Sequence, residues 1–400
     1  MASNLADGLG RISIPLIATT LTKDPLLIAG VTSLAFVPWL LFGVFAGVIA
    51  DRTDRRFAMA GANAVRVLAA AGIALAISTD AITIWLLYAG VLIWGLGETV
   101  YDSTATAMIP SLVRTNQLEK ANSRMQAAEL VVQNFIATPI AGVLFAVAIV
   151  IPVWSTAAGF LVAVALVLTL PLSAARVPQA VRAADAPTGT RADVREAVSF
   201  LLRHRFLRGM VIVTSLVGGA LTLAQATIVL FVLETLQVPE FAFGFVTAGV
   251  GLGAVIGALT ASKFVAWFGR GRVLFAASTL CGVTAFAEGF APNVWVAVPV
   301  YAVCAFSVSV WNVPWGSLRQ ELVPGYLLGR ITGMTRTIIW GLFPISGVLG
   351  GLLSRIDLRV PFWVGGAIII VVSLSASRLL LSASKQKADH SSPENVGGPA

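Results

Sequence analysis

An all-α polytopic membrane protein, with twelve spanning helices in two similar six-helix halves, is the fold this sequence predicts, and three observations predict it. The 400-residue chain has a mean hydropathy of +0.88. Its residues are 57% hydrophobic and only 12% charged, where soluble domains carry about 25% charged residues. Apolar blocks of the roughly 20 residues that a helix needs to cross a bilayer recur along the chain between short polar breaks. Features also repeat between the halves: Gly43 and Gly47 before one basic turn match Gly253 and Gly257 before another, and Leu112-Val113 matches Leu322-Val323 at the same offset of 210 residues. Long apolar runs without period-two alternation exclude the membrane barrel, the other fold that satisfies its backbone in lipid.

The first span is read at 1–20, where MASNLADGLGRISIPLI is short and polar for a full crossing. That leaves either a start site further upstream or a helix frayed at its inner end. Spans at 26–50 and 56–78 flank the turn GVIADRTDRR, Gly47 to Arg56. Charges this dense must lie at the membrane surface, because one at the bilayer centre costs roughly 2.5–3.5 kcal/mol. Spans at 81–109, 117–147 and 150–175 complete the first half, residues 1–175. Segment 176–207 carries Arg176, Arg182, Asp185, Arg191, Asp193, Arg195, Glu196, Arg203 and Arg205, and is read as a polar linker. Spans at 208–236, 240–267, 271–291, 293–318, 325–354 and 358–381 make up the second half, 208–382, with the basic turn GRGR at Gly269 to Arg272. Residues 383–400 are polar and rich in Ser, Gly and Pro, the composition of a disordered tail.

The formal charge of +8 and the isoelectric point near 10.1 do not mark a nucleic-acid surface, because the arginines are spread among helix ends. On this topology Lys23, Arg355 and Arg359 lie on one side, Arg11 and Arg66 lie within helices, and the other 22 of the 27 Lys and Arg residues fall on the opposite side or its boundary. The positive-inside rule makes that side the cytoplasm, with both termini and the linker; the expected location is the cell membrane, as a multi-pass protein of a bacterial inner membrane. Cys281 and Cys304 fall in apolar helices and read as small core residues. No cleavable signal peptide is evident. Only His204 and His390 are present, no metal-ligand or nucleophile–base spacing is seen, and no glycine-rich phosphate loop occurs. The sequence therefore predicts no enzyme, metal or cofactor.

The turn Gly47 to Arg56 resembles the signature loop between the second and third helices of the major facilitator superfamily of secondary transporters. The resemblance implies that Gly47, Asp51, Arg52, Asp54, Arg55 and Arg56 form a gating loop, with Asp51 latching the cytoplasmic side through the positive end of a helix dipole. Asp54 stands where that family has glycine, which adds a second acid. The stretches GETVYDSTATAMIPSLVRTNQLEKANSR and SLRQELVPGYLLGRITGMTR look like the branch that includes enterobactin and macrolide exporters, and bring Arg319, Arg330 and Arg336 onto basic positions of that branch. The segment NFIATPIAGVL, with Pro139 and Gly142, resembles the kinked motif of drug and proton antiporters, with Thr138 in place of a glycine. FPISGVLGG, Phe343 to Gly351, matches it in the second half.

Acids inside spans are the candidates for proton coupling, because an intramembrane charge is costly and usually functional. Asp7 has Arg11 one turn on, so the two either neutralise each other or leave Asp7 facing a cavity. Glu98 and Asp102 lie one turn apart and cannot both ionise cheaply. They either handle protons or form a gate lattice with Arg55, Arg56, Arg114 or Arg124. Glu129 has Gln133 one turn later. Asp7 and Glu129 rank first, with Glu98 and Asp102 behind, and Arg11, Arg124 and Arg336 are the interface cations. The sequence reading is thus a monomeric secondary transporter that exchanges protons for a small amphipathic molecule across the lipid bilayer, most simply an exporter. A nutrient importer and a non-transporting receptor are the alternatives.

Overall fold

The computed structural model describes residues 2–112, 129, 131–169, 190–323 and 325–385. Among these the regular structure is helical, with no strand. The first half contains α1 (Ala2–Leu21), α2 (Pro25–Leu34), α3 (Val37–Arg52), α4 (Arg55–Ser78), α5 (Ile84–Leu112), α6 (Thr138–Val147) and α7 (Val150–Leu168). Helix α8 (Thr190–Arg203) lies within the segment expected as a linker. The second half contains α9 (Arg205–Gln225), α10 (Glu240–Phe268), α11 (Arg270–Glu288), α12 (Val294–Leu322), α13 (Gly325–Gly341), α14 (Phe343–Ser354), α15 (Val360–Ser375) and α16 (Ser377–Ser382). Eight helical segments are long and apolar enough to cross a membrane, and Phe135–Val147 and Val360–Ser375 are shorter apolar helices. With the more polar α1 and α11, these supply the twelve expected crossings.

Among the described residues, three of the spans that depart from the continuous helices the hydropathy predicts are the second, the eleventh and the seventh. The second breaks at Ala35–Phe36 and resumes as α3 with Pro38 in its first turn. The eleventh breaks at Leu342 and resumes as α14 with Pro344 in its first turn. Proline has no N–H to give the carbonyl four residues back, so an apolar run that reads as one span is divided in two. The seventh starts at Arg205 rather than 208, capped by His204, whose Nδ1 accepts from the Leu207 amide at 3.2 Å. It is interrupted after Gln225 and ends in a π-helical turn, Phe231–Thr235. Residues 383–385, expected in the polar tail, form a helical turn in which Ala383 is buried and Ser384 Oγ accepts from the Gly271 amide at 2.9 Å.

The halves share one packing scheme, which the 210-residue echo predicts. In the first, α3 packs on α5, α4 on α7 and α1 on α7; in the second, α10 packs on α12, α11 on α15 and α9 on α15. Between the halves α2 packs on α14, α6 on α10 and α3 on α13. A single apolar core crosses this seam, joining Leu16, Ile17 and Ile28 to Leu230, Phe231 and Phe362. At the α6–α10 crossing the backbones nearly touch: a Cβ at Gly142 would lie 2.6 Å from the Phe241 carbonyl oxygen. Small residues are what permit helices to approach this closely in lipid.

The end of the molecule that carries the 22–24 loop is pinned across the seam. Arg355 Nε donates to Asp24 Oδ1 at 2.9 Å, and Lys23 Nζ lies 3.1 Å from Glu234 Oε1. The Arg355 guanidinium holds the Asp24 carboxyl below the usual carboxylate range, and Asp24 in return raises Arg355. Asp24 also caps α2, its Oδ1 accepting from the Leu26 amide at 3.0 Å.

Candidate functional site: cavities and charges along the seam

Among the described residues, one large cavity lies along the seam and another in the second half. The first, about 520 Å³, is bounded by Gly8, Arg11 and Pro15 of α1, by Gln133 of the π-helical turn before α6 and Thr138 at the start of that helix, and by second-half residues that include Phe243, Glu288 and Tyr301. The second, about 950 Å³, runs through the second half and is lined by Trp311, Trp315, Arg319, Arg336 and Trp340 among others. Gln225, the last residue of α9, lines both. Cavities of this size hold drug-sized molecules.

Within the first half, Asp7 is placed in the bundle interior, not beside Arg11. Its carboxylate pairs with Arg66 of α4, whose side chain is wholly buried. Arg66 Nη1 also donates to Ser3 Oγ at 3.1 Å and to Asn63 Oδ1 at 3.2 Å, and its guanidinium lies 4.0 Å from the centre of the Phe160 ring. Trp94 and Tyr101 complete the aromatic cradle. The expected Asp7–Arg11 neutralisation is therefore corrected: the helical spacing that puts the two on one face does not fix which neighbour that face meets. Arg11 reaches α5 instead, with Nη2 3.3 Å from Glu98 Oε1.

Three acids of the first half lie within electrostatic range of one cation of the second. Glu98 and Asp102 occupy one face of α5, and Glu129 lies one turn before Gln133, whose Nε2 donates to its Oε1 at 3.5 Å. All three carboxylates and Arg336 of α13 interact electrostatically across the seam. Arg336 is held between rings from both halves, its guanidinium 4.4 Å from the centre of Trp39 and 3.9 Å from that of Trp340. These tryptophans touch edge-to-face at 5.1 Å, and Phe36 meets Phe343 at 5.2 Å. The cluster sits where the broken second and eleventh spans meet, so the two proline breaks bring aromatic rings and a cation to one point.

In the gating loop, Asp54 is the N-cap of α4: its Oδ1 accepts from the Arg56 amide at 2.9 Å. The acid that departs from the family pattern thus has a local task. Arg55 is buried, and Arg56 Nη1 donates to the Leu168 carbonyl at 3.4 Å. Backbone atoms place Gly47, Asp51 and Arg52 at the end of α3, but the side chains of Asp51 and Arg52 lie outside the described residues, as do Arg114, Arg124 and the Arg330 side chain. Pro139 opens α6, and the six residues before that helix form a π-helical turn, Val132–Ala137. Loss of a backbone donor is relieved by such a wide turn.

Two groups were not singled out from sequence. Glu288, at the end of α11, is 3% exposed, lines the first cavity, and has an Oε2 without a hydrogen-bond partner. Gln225 joins the two cavities. A single acid among AFAEGF reads as the end of a span, and only the packing of α11 against its neighbours shows that it is buried. Close by, the Cys281 and Cys304 sulfurs lie 3.7 Å apart in the core.

Comparison with known proteins agrees with this architecture. The macrolide efflux protein A of Streptococcus pyogenes is 24% identical over 375 residues, spanning 91% of this chain and 90% of that protein. The enterobactin exporter of Shigella flexneri is 33% identical over 158 residues, 38% of this chain and 37% of that one. Among solved structures, a bacterial homologue of the iron transporter ferroportin in an inward-facing state superposes with a TM-score of 0.75 at 15% identity, covering 96% of each chain. A D-xylose-proton symporter superposes at 0.74 and 15% identity, over 96% of this chain and 98% of that one. These two show the fold alone. The sequence model of the Major Facilitator Superfamily matches residues 2–348, and with two bundles of six spans around a shared seam, the chain belongs to that superfamily of membrane transporters.

Proposed function

We propose that this transporter exports a small amphipathic molecule in exchange for protons by alternating access, from a bacterial inner membrane with both termini in the cytoplasm. The observation that supports this reading most is the set of first-half carboxylates, Glu98, Asp102 and Glu129, within electrostatic range of Arg336 of the second half. Rocking of one half against the other separates acids from cation, and an acid that loses its counter-charge in a low-dielectric seam takes up a proton. The similarity to macrolide and enterobactin exporters favours the outward direction. Asp7 is assigned to holding the charge of Arg66, and the proton to the acids at the seam. The pinned 22–24 end is then the outer gate, closed here. The gating loop at 47–56 is the inner one, and residues 1–175 and 208–382 are the two moving bodies.

Inverted membrane vesicles test this directly. With an acid interior, a macrolide or a catecholate siderophore should accumulate, up to about tenfold per pH unit for an electroneutral one-for-one exchange. Accumulation indifferent to the pH gradient would remove the coupling. Accumulation only in right-side-out vesicles would make the protein an importer, and saturable binding without flux a receptor. Replacing Glu129 and Asp102 together by their amides should leave flux that no longer responds to the gradient.

A further inference from the structure

Glu288 is the one buried acid in the walls of the first cavity whose charge no basic side chain balances among the described residues. Arg11, the cation that lines the same cavity, is engaged by Glu98. Arg359, the basic residue near the end of α11, donates through Nη1 to the Gly289 carbonyl at 2.8 Å and forms no ion pair with Glu288. The groups that do surround Glu288 are neutral: Tyr301 and Cys304 of α12, Gln225 of α9, and Phe362 of α15. A carboxylate this buried is costly without a counter-charge.

Around it, the cavity supplies what an amphipathic cation needs. Its wall is largely apolar and includes Val229, Val232, Phe243, Val246 and Val298. Tyr301, which lines the cavity with Glu288, adds an aromatic ring, the kind of group on which organic cations settle. Deepening the transport reading above, on which it rests, we infer that this cavity binds an organic cation with an apolar body, for which the Glu288 carboxylate is the counter-ion. Glu288 is not one of the Glu98, Asp102, Glu129 and Arg336 set, although Arg11 and Gln133 of the cavity wall bond to Glu98 and Glu129. A molecule held by Glu288 therefore has its own counter-ion, and shares with the seam acids only the cavity wall of Arg11 and Gln133.

Equilibrium binding of radiolabelled tetraphenylphosphonium to the full chain in lipid nanodiscs tests this without any gradient. The wild type should bind it saturably and should prefer it to tetraphenylborate, an anion of the same shape. Glu288→Gln should weaken binding about tenfold or more, which is about 1.4 kcal/mol, and Glu288→Asp should retain most of it. Tetraphenylphosphonium binding that is unchanged in Glu288→Gln overturns the proposal, as does a wild type that fails to bind the cation or binds the borate equally well. The anion comparison needs no variant, so it decides the matter even if a substitution disturbs folding. Failure here with pH-driven flux intact in inverted vesicles removes only the cation site; loss of gradient-driven flux with cation binding and its Glu288 dependence intact removes only the coupling.

Discussion

The third span of each half carries a buried charge, and the two halves treat it oppositely. In the first half, Arg66 of α4 is matched by Asp7 from the first span, by Ser3 and Asn63, and by three aromatic rings. In the second, Glu288 of α11 meets Gln225 from the corresponding first span of its half, together with a phenol and a thiol. One fold, repeated, has settled a charge in one copy and left it open in the other. A settled charge makes a rigid body; an open one in a cavity wall is available to something that comes and goes.

The largest expected effect breaks the settled side. Asp7→Asn leaves Arg66 buried without its carboxylate and should cost about 3–5 kcal/mol, the usual consequence of stranding one member of a buried pair. Thermal unfolding of the detergent-purified protein would show it as a large drop in Tm. The double variant Asp7→Asn/Arg66→Met should recover much of the loss, because methionine fills the aromatic cradle with no charge left to satisfy. A single variant that is as stable as wild type but transports without regard to pH would reverse the assignment and return Asp7 to proton coupling.

The same isosteric change on the open side should have the opposite sign. Glu288→Gln removes a carboxylate whose Oε2 has no partner, so Tm should hold or rise, by about 1 kcal/mol or less in stability. A drop in Tm comparable to that of Asp7→Asn would mean that Glu288 has a structural counter-charge and that the two halves are alike after all.

The contrast was partly legible in the sequence. Hydropathy located twelve crossings, and the 210-residue echo anticipated the shared packing of α3 on α5 and α10 on α12. Helical spacing also paired Glu98 with Asp102 and Glu129 with Gln133, because neighbours one turn apart are fixed within a single helix. What spacing cannot fix is which faces of different helices meet. Arg11 lies four residues from Asp7, yet the partner is Arg66, 59 residues away. Pro38 and Pro344 sit in runs apolar on both sides, so their breaks leave no mark in hydropathy. The cage of Trp39 and Trp340 around Arg336 depends on both breaks at once. Glu288 was passed over because its burial comes from three other helices.

A third, smaller effect concerns the seam between the unlike halves. Arg336→Lys keeps the charge but loses the flat guanidinium that lies against both Trp39 and Trp340, a contact worth about 0.5–2 kcal/mol. Transport should slow several-fold while tetraphenylphosphonium binding stays near that of wild type. Arg336→Gln, which also removes a positive charge that the three acids feel, should slow it further and shift the pH profile of flux. An unchanged profile would detach Arg336 from the acids.

The smallest effect lies at the Asp24–Arg355 bridge, where the halves meet in solvent. Because Arg355 depresses the Asp24 carboxyl, the bridge is fully formed above the unfolded carboxylate value of about 3.9. It is lost only as pH falls through the still lower value of the folded protein. Across pH 5–8 this contact is therefore constant, and any pH dependence of gating in that window comes from groups other than this bridge. Asp24→Asn separates bridge from cap, since asparagine still accepts from the Leu26 amide but carries no charge for Arg355. Thr32 lines the first cavity, so a Thr32→Cys reporter reads its exposure through an impermeant maleimide. Labelling should rise modestly in the Asp24→Asn background, by the same factor at pH 5.5 and pH 8. A factor that grew toward low pH would mean that protons reach this gate directly, and would move part of the coupling from the seam acids to the outer loop.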